Sequence, residues 1–139
     1  MRKEISNQVE GIYSLTSMQE GMLFYKNLDD KSTSYVIQSV LLVAGNLDYE
    51  KLNEAIALLA VKHDALRATF LYKKVVKPRF VILAERKLET QYIDLSIESE
   101  KETKFEEIKE ADITRGFDLS VDSLMRITVV KMEENTFKM

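Results

Sequence analysis

Leu15-Thr16-Ser17-Met18-Gln19-Glu20-Gly21-Met22-Leu23-Phe24 is the stretch on which the reading of this 139-residue chain turns. Thr16-Ser17-Met18-Gln19 has the form of a capping box, with the Thr16 hydroxyl spaced to accept from the Gln19 amide and the Gln19 side chain able to reach back. A helix is predicted to start there. Met18, Met22 and Tyr25 recur at i, i+4 and i+7, an apolar stripe predicted to enter the core. Gly21 inside this helix costs up to about 1 kcal/mol unless a neighbour packs closely against it. Residues 1–10, upstream, read as a tether or linker, and the folded unit is placed over residues 11–139.

Working downstream, Tyr35 to Ala44 is nearly continuous in apolar and β-branched residues and is predicted to be the central strand. Gly45-Asn46 punctuates the chain. Asp48 is a good N-cap for a helix running to about His63, with Leu52, Ala55, Ile56 and Leu59 on one face. Three extended stretches follow, at residues 68–72, 79–83 and 89–95, with Pro78 where a strand can begin without losing a ladder bond. Residues 99–114 are charge-rich, and Phe105, Ile108 and Ala111 mark the narrow apolar stripe of an outer helix. A strand at 124–132 turns through Glu133-Glu134-Asn135 into residues 136–139. This alternation predicts an α+β fold, a two-layer α/β sandwich. The last strand begins where the sequence stops, and an unpaired strand edge at that point reads as a boundary within a larger domain.

Composition narrows the function classes. A formal charge of −3 with both signs interspersed supplies no basic field for phosphate backbones, so nucleic acid is not an expected partner. The chain has no cysteine and one histidine, which excludes a disulfide framework and leaves no metal site in prospect. No run approaches the roughly 18 apolar residues of a membrane span and no leader is visible, so a cytoplasmic protein without membrane contact is expected.

Few side chains invite a chemical role. His63 ends the second predicted helix, where the macrodipole favours a histidine that meets terminal carbonyls, and this reading is preferred to general-base catalysis. Asp64 is its neighbour, and adjacent helical residues do not face one another, so the two are not read as a dyad. There is no Gly-x-Ser-x-Gly elbow and no phosphate-binding glycine loop among four glycines. Glu102, Glu106, Glu107 and Glu110 fall on the charged helix and are read as a solvated face. Arg67 stands out, because a cation flanked by Leu66 and Ala68 and near Phe70 demands a partner, and none is evident in the sequence.

Leu15 to Phe24 and His63-Asp64-Ala65-Leu66-Arg67-Ala68-Thr69-Phe70 together resemble the first two signatures of the condensation domain of nonribosomal peptide synthetases. The first typically reads Leu-(Thr/Ser)-x-x-Gln, often continued as Glu-Gly-Met-Leu-Phe. The second reads Arg-His-(Glu/Asp)-x-Leu-Arg-Thr-x-Phe, with Lys62 and Ala68 departing from it. A third, Phe-Asp-Leu-x-x-x-Pro-Leu-x-Arg, is approximated by Phe117 to Arg126, with Ser123 in place of proline. Gln19, Met22, His63, Asp64 and Arg126 are thus signature residues.

The resemblance runs from about Ile12 to Met139. It implies one lobe of a chloramphenicol acetyltransferase-like fold, a mixed sheet covered by helices, cut before the His-His-x-x-x-Asp-Gly motif, so that no catalytic residue lies in this chain. It also implies that Arg67 supports the active-site loop by pairing with the motif's aspartate. The activity implied is amide-bond formation between carrier-bound thioesters, with no cofactor bound directly and phosphopantetheine delivered by carrier domains. Peptidyl and aminoacyl carriers, a C-terminal lobe and a neighbouring adenylation domain are the implied partners. A noncatalytic carrier-docking module and a small stand-alone acyltransferase of the same superfold are the alternatives. A lone first lobe is expected to be inactive and to self-associate.

Overall fold

The computed structural model describes residues 9–29 and 32–139. Strand β1 (Val9–Ser14) is followed by α1 (Ser17–Leu28), β2 (Leu42–Ala44) and α2 (Tyr49–Lys62). A 3-10 turn, Asp64–Arg67, leads into β3 (Ala68–Leu71), β4 (Arg79–Leu83) and β5 (Glu89–Asp94). Helix α3 (Lys101–Arg115), β6 (Arg126–Glu133) and β7 (Thr136–Lys138) complete the chain. Residues 1–8 of the expected tether lie outside the described residues, and Val9 and Glu10, assigned to it from sequence, belong instead to β1.

Among the described residues, seven strands form two sheets. One is antiparallel, in the order β1-β4-β3, and the other has the order β2-β7-β6-β5, mixed because β5 and β6 run parallel. Helix α3 is the crossover between these parallel strands, as a parallel pair requires. Along β6, Val130 and Met132 join Leu95 and Phe105 in one apolar cluster, while Ile127 packs against Ile56, Ala60 and Leu88 in another. Side chains alternate along a strand, so α3 covers one face of the mixed sheet and α2 the other. That two-sided cover explains why Val129 is fully buried. The α+β class is as expected; the helices lie on both faces of the mixed sheet, and a second sheet stands beside it.

Capping chemistry sets the helix starts. Thr16 is the N-cap of α1 with both arms of the capping box formed, and Asp48 caps α2 by accepting from the amides of Glu50 and Lys51. Pro78 immediately precedes β4, as expected. Gly116 ends α3 at φ 59°, in the left-handed region where a Cβ is strained.

Four packing expectations are corrected, on α1, α2, α3 and residues 35–44. The stripe Met18, Met22 and Tyr25 does not enter the core: Met18 is 78% exposed, and Leu23 is the buried residue of α1. Gly21 has nothing within 4 Å of an added Cβ, so no close neighbour offsets its cost. On α2 the buried line is Leu52, Ile56 and Ala60, with Ala55 and Leu59 outside it, and on α3 Ala111 is exposed. The largest correction concerns residues 35–44, expected as the central strand. Only Leu42–Ala44 form a strand, at the sheet edge, and Ile37 is 90% exposed. Paired hydrogen bonds between Leu41 and Met139 extend the β2–β7 ladder by one residue on each strand, and among the described residues no strand lies opposite residues 35–40.

Candidate functional site

Arg67 is 5% exposed, and each of its five N–H donors is used. Nε donates to the Leu83 carbonyl at 2.9 Å, at the end of β4. Nη1 donates to the carbonyls of Ala60 and Val61 at 2.8 and 2.7 Å. These belong to the last turn of α2, whose carbonyls lack intrahelical donors. Nη2 donates to the carboxylates of Glu10, at 2.7 Å, and Asp64, at 3.0 Å. The lack of an evident partner for Arg67 is therefore corrected: Glu10, 57 positions away, is brought to it by β1, an element that the sequence pattern does not announce. The helix-end carbonyls expected to meet the His63 ring are met by Arg67, while His63 is the C-cap of α2 through its backbone amide, which donates to the Leu59 carbonyl. Asp64 faces Arg67 and not His63, as the absence of a dyad requires.

Arg126 forms the second buried guanidinium knot. Nε donates to the Asp112 carboxylate, Nη1 to the Gly116 carbonyl at 2.6 Å and Nη2 to the Asp112 carbonyl at 2.6 Å. Its plane lies over the Phe117 ring at 4.1 Å, a cation–π contact. A cation thus closes the C-terminus of α3, where the macrodipole favours it. Gln38 adds its amide from the 32–41 segment, donating to the Lys109 carbonyl at 3.0 Å and to the Asp112 carboxylate at 3.2 Å. Gln38 and Ser39 are the two polar residues of an apolar run, and an amide in that setting is the sequence signal that a specific partner exists.

Between these elements lies a cleft of about 850 Å³, its lining predominantly apolar. Gln19, Met22 and Leu23 of α1, Phe70 and Phe80 of the antiparallel sheet, and Arg126, Ile127 and Val130 of β6 are among its lining, with residues 35–41 along one side. The signature residues therefore separate. Gln19, Met22 and Arg126 line the cleft, whereas Asp64 and Arg67 belong to the knot at the end of α2, which His63 caps through its backbone, and none of these three is among the lining.

The Phe117–Asp122 loop, which Ser123 follows in place of proline, is built by local hydrogen bonds. The Asp118 carboxylate accepts from the Ser120 hydroxyl at 2.6 Å, the Ser120 amide at 2.9 Å and Lys73 Nζ at 2.9 Å. The Leu119 carbonyl accepts from the Phe70 amide and the Thr69 hydroxyl, docking the loop on β3. The hydrogen bond from Ser120, reinforced by Lys73, holds the Asp118 carboxyl down from its ordinary 3.8 to about 2. A carboxyl depressed on folding stabilises the folded loop above its unfolded value and loses that contribution as pH falls through the folded one. The loop is expected to loosen between about pH 4 and pH 2, weakly because Asp118 is solvent-screened. NMR titration of the Ser120 amide checks this: a midpoint near 2 agrees, and one near 4 contradicts it.

Among the described residues no group of three or more His, Cys, Asp or Glu side chains could hold a metal, and no helix is long and apolar enough to cross a membrane. The condensation-domain family model matches residues 9–139. This chain belongs to the condensation domain family. It is 36% identical over 133 residues to tyrocidine synthase 2 of Brevibacillus parabrevis, covering 94% of the chain and 4% of that protein. It is 36% identical over 135 residues to bacitracin synthase 1 of Bacillus licheniformis, covering 95% of the chain and 2% of that protein. Among solved structures, the starter condensation domain of rhizomide synthetase superposes with a TM-score of 0.84 at 17% identity, covering 93% of this chain and 32% of that one. The first condensation domain of the calcium-dependent antibiotic synthetase gives 0.82 at 20% identity, covering 93% and 31%. The chain thus has the fold of these condensation domains over about a third of their length, and it spans a few per cent of the two synthetases.

Proposed function

We propose that this chain is the N-terminal lobe of a condensation domain that forms an amide bond between two carrier-bound thioesters in a nonribosomal peptide synthetase. The observation that carries the reading is the family match over residues 9–139, set beside coverage of 32% of a solved condensation-domain chain. In the reaction, the α-amino group of an acceptor aminoacyl thioester attacks the donor thioester carbonyl. The C–N bond forms, the C–S bond breaks, and the proton lost from the amine accompanies the departing phosphopantetheine thiol. Both substrates arrive on carrier domains, so the domain's work is chiefly positioning, an effect worth about 7–11 kcal/mol in favourable cases.

No residue of this chain is assigned to the proton transfer. The His-His-x-x-x-Asp-Gly motif belongs to sequence following Met139, and the chain alone is inactive. Arg67 supports the site through the knot at the end of α2. Pairing it with the motif's aspartate would require one of its five bonded donors to be released. A C-terminal lobe, carrier domains and a neighbouring adenylation domain are the partners in this reading, in the cytoplasm.

The coding sequence beyond the Met139 codon tests it. An open frame reaching His-His-x-x-x-Asp-Gly within one or two further strands is expected. A stop codon directly after Met139 would overturn the reading in favour of a noncatalytic carrier-docking module. The exposed apolar residues of α1 and of residues 35–42, among them Leu42 at 71% exposure, predict that the 139-residue chain alone associates with itself. Sedimentation equilibrium should show mass rising with concentration, and a monomer throughout would contradict it.

A further inference from the structure

Strand β1 pairs with β4 through Val9–Leu83 and Gly11–Ile82, so Glu10 is the extra residue of a β-bulge. A bulge turns one side chain away from the regular pleat, and here that side chain is the carboxylate that meets Arg67 at 2.7 Å. Bulge and ion pair are separate observations that point to the same contact. The next residue is constrained as well: a Cβ on Gly11 would lie 2.6 Å from the Tyr13 ring, so the bulged backbone cannot accommodate a larger residue without moving that ring.

Arg67 meanwhile ties together the last turn of α2, the 3-10 turn and the end of β4. Glu10 is the one group among its acceptors that comes from β1. We propose that Glu10 is a latch, a positioning residue through which β1, and hence whatever chain precedes residue 9, is coupled to the His63–Arg67 turn. Displacing β1 by one residue removes the bulge, turns the Glu10 side chain away from Arg67, and leaves a buried guanidinium short of one carboxylate. The coupling stands whatever reaction the domain catalyses.

Hydrogen–deuterium exchange read by mass spectrometry on the full-length protein tests the latch. In Glu10→Ala, exchange in segments covering residues 9–14 and 60–67 is expected to rise together by about ten- to a hundredfold, the range for losing a hydrogen bond to a charged group. Residues 126–133 serve as the reference and should not change. A rise confined to residues 9–14, or no rise, overturns the proposal. If Glu10→Ala raises exchange everywhere, Glu10→Gln decides. This variant keeps the shape and loses the charge, and a smaller, paired rise in the same two segments supports the latch, whereas none overturns it.

Discussion

Arg67→Met is expected to lower the stability of this chain by about 3 kcal/mol or more, because it leaves three backbone carbonyls, of Ala60, Val61 and Leu83, without their donor. Each buried acceptor left unsatisfied costs about 1–3 kcal/mol, and breaking a buried ion pair from one side costs about 3–5 kcal/mol. The lower end applies, since Glu10 and Asp64 are half exposed and water can solvate them. Arg67→Lys is expected to recover less than half of the loss. An ammonium has three donors and no planar fork, and cannot serve five acceptors on four segments. Urea denaturation followed by circular dichroism measures both, and a loss below about 1 kcal/mol for Arg67→Met would contradict this view of the knot.

Arg126→Met is expected to cost about 2–3 kcal/mol and to loosen one wall of the cleft. It removes the cation closing α3, frees the Gly116 and Asp112 carbonyls, and leaves the Asp112 carboxylate with Gln38 as its remaining side-chain donor. Asp112→Asn should cost less, because the amide oxygen still accepts from Arg126. The double variant should lose less than the sum of the two, since both act on one contact. Additive losses in a double-mutant cycle would show that Arg126 acts apart from the Asp112 carboxylate, through the Gly116 and Asp112 carbonyls and its stacking on Phe117.

Local chemistry makes most elements legible. The Thr16 capping box, the Asp48 N-cap and Pro78 are decided by residues close in sequence, and each element they announce is present. What escapes a reading of the sequence depends on contacts remote in it. Strand β1 carries no clear alternation, and it is held by pairing with β4 some 70 positions away and by Glu10 on Arg67. Without β1, Arg67 keeps Asp64, three positions before it, as its carboxylate partner and loses Glu10. The apolar stripe of α1 and the run 35–44 resemble core because apolar content signals burial without naming the covering surface. Here that surface is not supplied by the described residues, and both stretches face the cleft or solvent. The signature residues are all visible in the sequence, yet their division between a cleft wall and a helix-end knot follows from the fold alone.

Whether this chain is one lobe of an amide-forming domain is decided by supplying donor- and acceptor-loaded carrier domains to the full-length polypeptide and, separately, to residues 1–139. Mass spectrometry then reads the carrier-bound products. A condensed product is expected from the full-length polypeptide and none from residues 1–139. Product from residues 1–139 alone, or none from the full-length polypeptide, would refute the lobe assignment.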